Sequence, residues 1–221
     1  MKAKFRFATL VSALAFAMST QAQQVPQPKT AAEVTDPVPG QIMTEEYARV
    51  VGQFAYMWAW PMMNMHNRRD AFDKVTEPVI LGVVPAAPPN QMGMLTDYID
   101  PAERIVATPN QDVVYGISIL SLDREPVVLQ VPDFGKRFWV YQLADQRTNT
   151  FGRLGAMYGS KPGFYLLVGP NWKGEKPKGI QAILRSPTVV GGVFPRVFVD
   201  DAPADHTAIQ PLISQIVELR C

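Results

Sequence analysis

Residues 109–151 read PNQDVVYGISILSLDREPVVLQVPDFGKRFWVYQLADQRTNTF and hold the densest strand signal in the chain. Val113 to Leu122 carries no charge and is rich in β-branched and aromatic residues, with Tyr115, Ile117 and Ile119 alternating with Gly116, Ser118 and Leu120. Both faces are mostly apolar, the pattern of a strand covered on both sides. Asp123 to Pro126 is a turn, because proline presets its own φ and pushes the preceding residue towards extended geometry. Val127 to Val131 is a second strand, and Pro132, Asp133 and Gly135 mark the next turn. Arg137 to Leu143 is a third, with Phe138 and Val140 on one face and Trp139, Tyr141 and Leu143 on the other. Strands spaced about ten residues apart predict an antiparallel sheet in a sandwich or barrel.

Two polar clusters bracket these strands: Asn110, Gln111 and Asp112 before the first, and Asp145, Gln146, Arg147 and Asn149 after the third. One reading is a polar pocket at a rim of the sheet. The other, weightier by default for loop residues, is turn chemistry, since Asn and Asp side chains bond their own backbone. The first and third strands run the same way, so the clusters meet only through a crossing between sheets.

The first 22 residues have the layout of a signal peptide. Lys2, Lys4 and Arg6 precede an apolar run from Phe7 to Met18, and Ser19 to Ala22 is a small-residue cleavage site. The run is too short to span a bilayer. This layout predicts cleavage near Ala22 and a periplasmic or secreted product. The 199 residues that remain suffice for one core, and carry 18 basic against 20 acidic residues, a formal charge of −2. That balance offers no footprint for nucleic acid or an anionic membrane. Cys221 is the only cysteine, so no intramolecular disulfide can form. Twenty prolines in 221 residues favour strands and turns over long helices.

Residues 23–43, with Pro26, Pro28, Pro37 and Pro39, read as a flexible leader, and residues 44–221 as a single domain. Thr44 to Trp60 predicts an amphipathic helix capped by Thr44, with Tyr47, Val50, Val51, Phe54, Ala55 and Trp58 on a core-facing stripe. Pro61 is expected to kink or end it. The aromatic and methionine run from Tyr56 to Met65 reads as core packing rather than a pocket lining. Further strands are expected over 77–84, 104–108, 164–168 and 180–185. Residues 186–200 give one or two strands broken at Gly191-Gly192 or Pro195, and a helix covers 201–220.

Several elements together resemble the bacterial family named domain of unknown function 1254. They are Pro109, Asn110, Asp112 and Tyr115; Val131, Pro132 and Asp133; Arg137; Asp145, Thr148 and Asn149; and Ala55, Tyr56 and Pro61. The resemblance covers about Thr44 to Ile216. It implies a mainly β, α+β fold: an antiparallel β-sandwich of jelly-roll type with an N-terminal amphipathic helix and a C-terminal helix. It also implies a companion β-rich domain, domain of unknown function 1214. Against that pattern, an end at Cys221 reads as a truncated product or a single-domain variant.

No H-E-x-x-H, C-x-x-C, G-x-S-x-G or P-loop is present, and His66 and His206 are far apart in sequence. Neither a metal nor a cofactor is expected. Three readings remain open. The first is a binding protein that takes a small polar ligand or a partner at a rim built from Asn110, Asp112, Tyr115, Tyr141, Asp145, Arg147 and Asn149. The second is a hydrolase or lyase in which Asp112 and Asp145 pair as acid and base, with Arg137, Arg147 and Arg153 holding an anionic substrate. The third is a structural or assembly module that forms a homo-oligomer.

Overall fold

A computed structural model describes residues 30–33, 40 and 42–220. The expected signal peptide and cleavage site at Ala22, most of the expected leader and Cys221 lie outside the described residues. The chain divides into two units, Met1–Ala48 and Arg49–Cys221. In the first, Tyr47 N donates to Thr44 Oγ1 at 3.2 Å, the expected N-cap.

The chain forms helix α1 (Glu45–Phe72), then the hairpin β1 (Val79–Leu81) and β2 (Val84–Ala86), then β3 (Gly93–Met94), β4 (Val113–Ser121) and β5 (Val127–Val131). It continues with β6 (Trp139–Asp145), β7 (Thr150–Gly155), β8 (Gly163–Val168), β9 (Ile180–Arg185), β10 (Val190–Phe198), α2 (Pro203–Ile213) and β11 (Glu218–Arg220). The described residues are thus mainly β with two α-helices, an α+β fold. One sheet has the order β3-β4-β10-β6-β7, a second β11-β5-β8-β9, and the β1-β2 hairpin makes a third of two strands.

The alternation read in the sequence builds the core. Leu120, Tyr141, Leu143 and Val193 from the five-stranded sheet share one hydrophobic cluster with Val127, Leu129, Tyr165 and Leu167 from the four-stranded sheet. Each such side chain contributes about 1.5–3 kcal/mol by leaving water. A second cluster lies on the other face of the five-stranded sheet, where Met65 and Phe72 of α1 meet Ile119, Val190 and Ala86. The strand from Val113 is therefore covered on both faces, as its composition requires.

The structure departs from the sequence reading in definite places. The three central strands are not neighbours: β10 pairs with both β4 and β6, and β5 belongs to the other sheet. Sequence adjacency gave way to burial, because a two-sheet core takes apolar faces from strands far apart in the chain. β8 and β9 pair in parallel, against the all-antiparallel expectation. Arg185 of β9 donates to the carbonyls of Gly169, Pro170 and Trp172 and so holds the crossing loop. The strand expected over 77–84 is a hairpin turning at Gly82 (φ +66°), and 104–108 forms no strand.

β10 runs unbroken through Gly191, Gly192 and Pro195. Gly116 of β4 lies beside Pro195, and a Cβ there would come within 2.2 Å of Met94 Sδ and 3.1 Å of the proline ring. The glycine leaves room for Met94 of β3 first and for the proline second. The C-terminal helix ends at Ile213, and the chain then enters β11.

The largest departure is α1. Pro61 does not end it, and its expected core stripe faces solvent: Phe54 is 69% exposed and Trp58 73%. At 28 residues the helix is about 42 Å long, and of its residues only Met65 and Phe72 are buried.

Candidate functional site

The two polar clusters have different fates. β10 is antiparallel to both β4 and β6. Asp112 lies at one end of it, its carbonyl accepting from Val199 N at 3.0 Å, and Asp145 lies opposite Gly191 at the other. About 25 Å of strand separates those positions. The carboxylate pair required by the hydrolase or lyase reading is not formed.

Asp145 is 2% exposed and serves its own turn. Its Oδ1 accepts from Arg147 N at 2.8 Å and Asn149 N at 2.9 Å, and Thr148 takes a left-handed φ of +65° between them. This is the turn chemistry that Asx residues provide. Arg147 and Asn149 also line a cavity of about 210 Å³ with Trp58, Pro61 and Met62, smaller than ordinary ligand pockets. Tyr141 is no rim residue. It is wholly buried between the sheets, its hydroxyl unpartnered, and burial pushes its pKa well above 10. Arg137 is occupied: Asp205 takes both of its terminal nitrogens, and Nη1 also donates to Phe198 O at 2.8 Å. That ion pair and a bond from Asp200 N hold Asp205 down to about 2. Arg153 stacks on Tyr158 at 5.4 Å.

The first cluster opens into a groove of about 900 Å³ on the outer face of the five-stranded sheet. Val113, Tyr115 and Ile117 of β4, Phe194 and Arg196 of β10, and Phe138 and Val140 of β6 form its floor. The period-2 pattern places them there. Val114, Trp139, Tyr141, Val193 and Val197 go into the core, so their sequence neighbours face outward. Residues 105–110, the 83–85 turn and Arg68 complete the wall. Thr108 in that wall holds φ +47°, a costly conformation for a β-branched residue and one that clusters at binding sites.

The polar groups of the groove are few. Asn110 N donates to the Tyr115 hydroxyl at 2.7 Å, and the Arg196 guanidinium lies over the Tyr115 ring, 5.6 Å from its centre. No carboxylate lines the groove. Among the described residues Arg68 bonds Asn64 Oδ1 at 3.2 Å, and neither Arg68 nor Arg196 has an acidic partner. Asn110 and Tyr115 are thus the two sequence-read candidates that the fold brings together in this groove, whereas Asp145, Arg147 and Asn149 meet in their own turn. Asp112 does not line the groove.

Sequence reasoning missed Arg196, although a lone cation amid VFPRVFV in a strand pattern is a signal. It also missed Glu218, hidden inside an expected helix. Glu218 projects from β11 into the interior, where Ser118 Oγ donates to its Oε2 at 2.5 Å and its Oε1 has no partner. Desolvation pushes its pKa up to about 7, with the Ser118 bond opposing. Among the described residues no group of three or more His, Cys, Asp or Glu could hold a metal ion, and no helix is long and apolar enough to cross a membrane.

Fold and candidate site together define an α+β protein whose five- and four-stranded sheets share a core, with an open, carboxylate-free groove on the larger sheet. Residues 89–217 match the family described as "Protein of unknown function (DUF1254)", and the chain belongs to that family. No curated protein matches it. Its fold is similar to that of the VPA0106 protein from Vibrio parahaemolyticus, with TM-score 0.53 and 17% identity. That likeness covers 75% of this chain and 36% of the other.

Proposed function

We propose that the protein is exported and binds a small ligand in the groove between Tyr115, Val140 and Arg196. One observation carries the reading: a concave surface of about 900 Å³, largely apolar, with polar groups confined to a few convergent positions. Catalysis has less support, because Asp112 and Asp145 stand at opposite ends of β10. The test is a thermal-shift screen of small metabolites on residues 23–221, repeated on Val140→Trp, which fills the groove. Hits that vanish in the filled variant support the reading, and hits that persist contradict it. Export rests on the n-region, apolar run and small-residue site of residues 1–22. The exported product should begin at Gln23 by intact mass, and an uncleaved chain retained in the cell would refute export.

A second reading, self-association, is favoured by one feature. Phe54, Met57, Trp58 and Trp60 of α1 stand 52–73% exposed. They offer about 500 Å² of apolar surface, a large part of the roughly 800 Å² per partner that a stable interface buries. Sedimentation over a wide concentration range should show a dimer weakened by Trp58→Ala; a monomer throughout would remove this reading.

A further inference from the structure

Resting on the groove reading above, we infer that the ligand is an organic carboxylate with a flat, apolar body. The argument begins with what the polar groups of the groove can do. Arg196 has only donors, five N–H groups in a rigid fork. Among the described residues no hydrogen bond engages any of them, and the guanidinium is held by the Tyr115 ring instead. The Tyr115 hydroxyl accepts from Asn110 N, and its own proton is bonded to no acceptor among the described residues. The two groups stand opposite one another in register on β10 and β4. They form one cluster that lacks an acceptor.

A second cation, Arg68, stands in the same wall, and no lining residue is acidic. The missing partner is therefore an anion that accepts in a plane, and a carboxylate matches a guanidinium fork with two parallel bonds. A phosphate fits less well, because no helix N-terminus or glycine-rich loop lines the groove to supply backbone N–H groups. The rest of the surface fixes the body of the ligand. Val113, Ile117, Phe138, Val140 and Phe194 present aliphatic and aromatic faces. Such a floor favours a hydrocarbon or ring system over a sugar or peptide, whose polar groups would go unpaired.

Calorimetry with four probes of one body tests this: 2-naphthoate, 2-naphthyl phosphate, 2-naphthylmethanol and 2-naphthylmethylamine. The carboxylate should bind about tenfold more tightly than the alcohol, and the amine more weakly still. Arg196→Gln should erase that preference while leaving alcohol binding in place. Arg68→Gln, an exposed change that does not threaten folding, should weaken the carboxylate by a smaller factor that salt suppresses. Equal binding of all four probes, abolished by Val140→Trp, would overturn the carboxylate assignment and keep the groove. A phosphate tighter than the carboxylate would also overturn the assignment. No binding by any probe, or binding indifferent to Val140→Trp, would overturn the groove itself.

Discussion

Asp145 and Arg196 sit at the two ends of one sheet and differ in a single respect. Asp145 is buried, its Oδ1 takes two backbone N–H groups of its own turn, and its Oδ2 faces the Asn149 side-chain amide at 3.5 Å. Arg196 is half-buried and lies over an aromatic face, with its hydrogen-bonding groups unspent among the described residues. A polar side chain that completes local bonds is part of the fold, and one that does not is available to something else. By that criterion the turn after β6 is structural and the groove is the site we propose, although the sequence carries similar polar residues before β4 and after β6.

Glu218 puts the criterion under the most strain and gives the largest expected effect. It is buried like Asp145 yet has one oxygen unpartnered, and its pKa rises from an ordinary 4.5 to about 7. The folded state therefore keeps a proton that the unfolded chain loses above pH 4.5. Stability should fall as pH rises from about 4.5 to 7 and then level off, by about 3 kcal/mol in all. Urea unfolding of Glu218→Gln should lack this fall; a slope identical to that of the parent chain would mean that Glu218 is not the buried acid described.

Asp145→Ala comes next. It leaves the N–H groups of Arg147 and Asn149 without their acceptor and should cost about 2 kcal/mol, a drop in melting temperature of about 6 °C. Naphthoate affinity should be unchanged. Tyr115→Phe removes one hydrogen bond to Asn110 N and the free hydroxyl proton. It should cost under about 1 kcal/mol in stability but weaken naphthoate about fivefold. Asp112→Asn should do least: its carboxylate does not line the groove and makes no bond among the described residues, so stability should stay within about 0.5 kcal/mol and affinity should not move. A clear loss of binding there would return Asp112 to the site.

How much of this was legible beforehand depends on range. Trp139, Tyr141 and Leu143 fell on the buried face because alternation is local and burial follows it. The turn at Asp145 was readable because Asx residues bond within their own neighbourhood. Strand order was not, since inserting β10 between β4 and β6 rests on contacts some 50 to 80 residues apart. Arg196 carried a local signal, a lone cation amid VFPRVFV, but that no acid pairs with it among the described residues is a long-range fact that no pattern of neighbours could reveal. Glu218 was lost for a different reason: Ile209, Leu212, Ile213, Ile216 and Val217 share a helical spacing that carried the expected helix through it, and a three-residue strand has too few positions to display a period. The stripe of α1 was legible as a helix but not as exposed, since periodicity reports a face and not what covers it.

The central claim is that the two ends of the sheet have separate roles, and a paired experiment on two variants tests it. Melting temperature and naphthoate affinity would be measured side by side for Asp145→Ala and Arg196→Gln. The account predicts that Asp145→Ala melts lower and binds normally, whereas Arg196→Gln melts normally and binds about tenfold more weakly. The opposite pattern, with Arg196→Gln unfolding early and Asp145→Ala failing to bind, would contradict it and move the site to the turn.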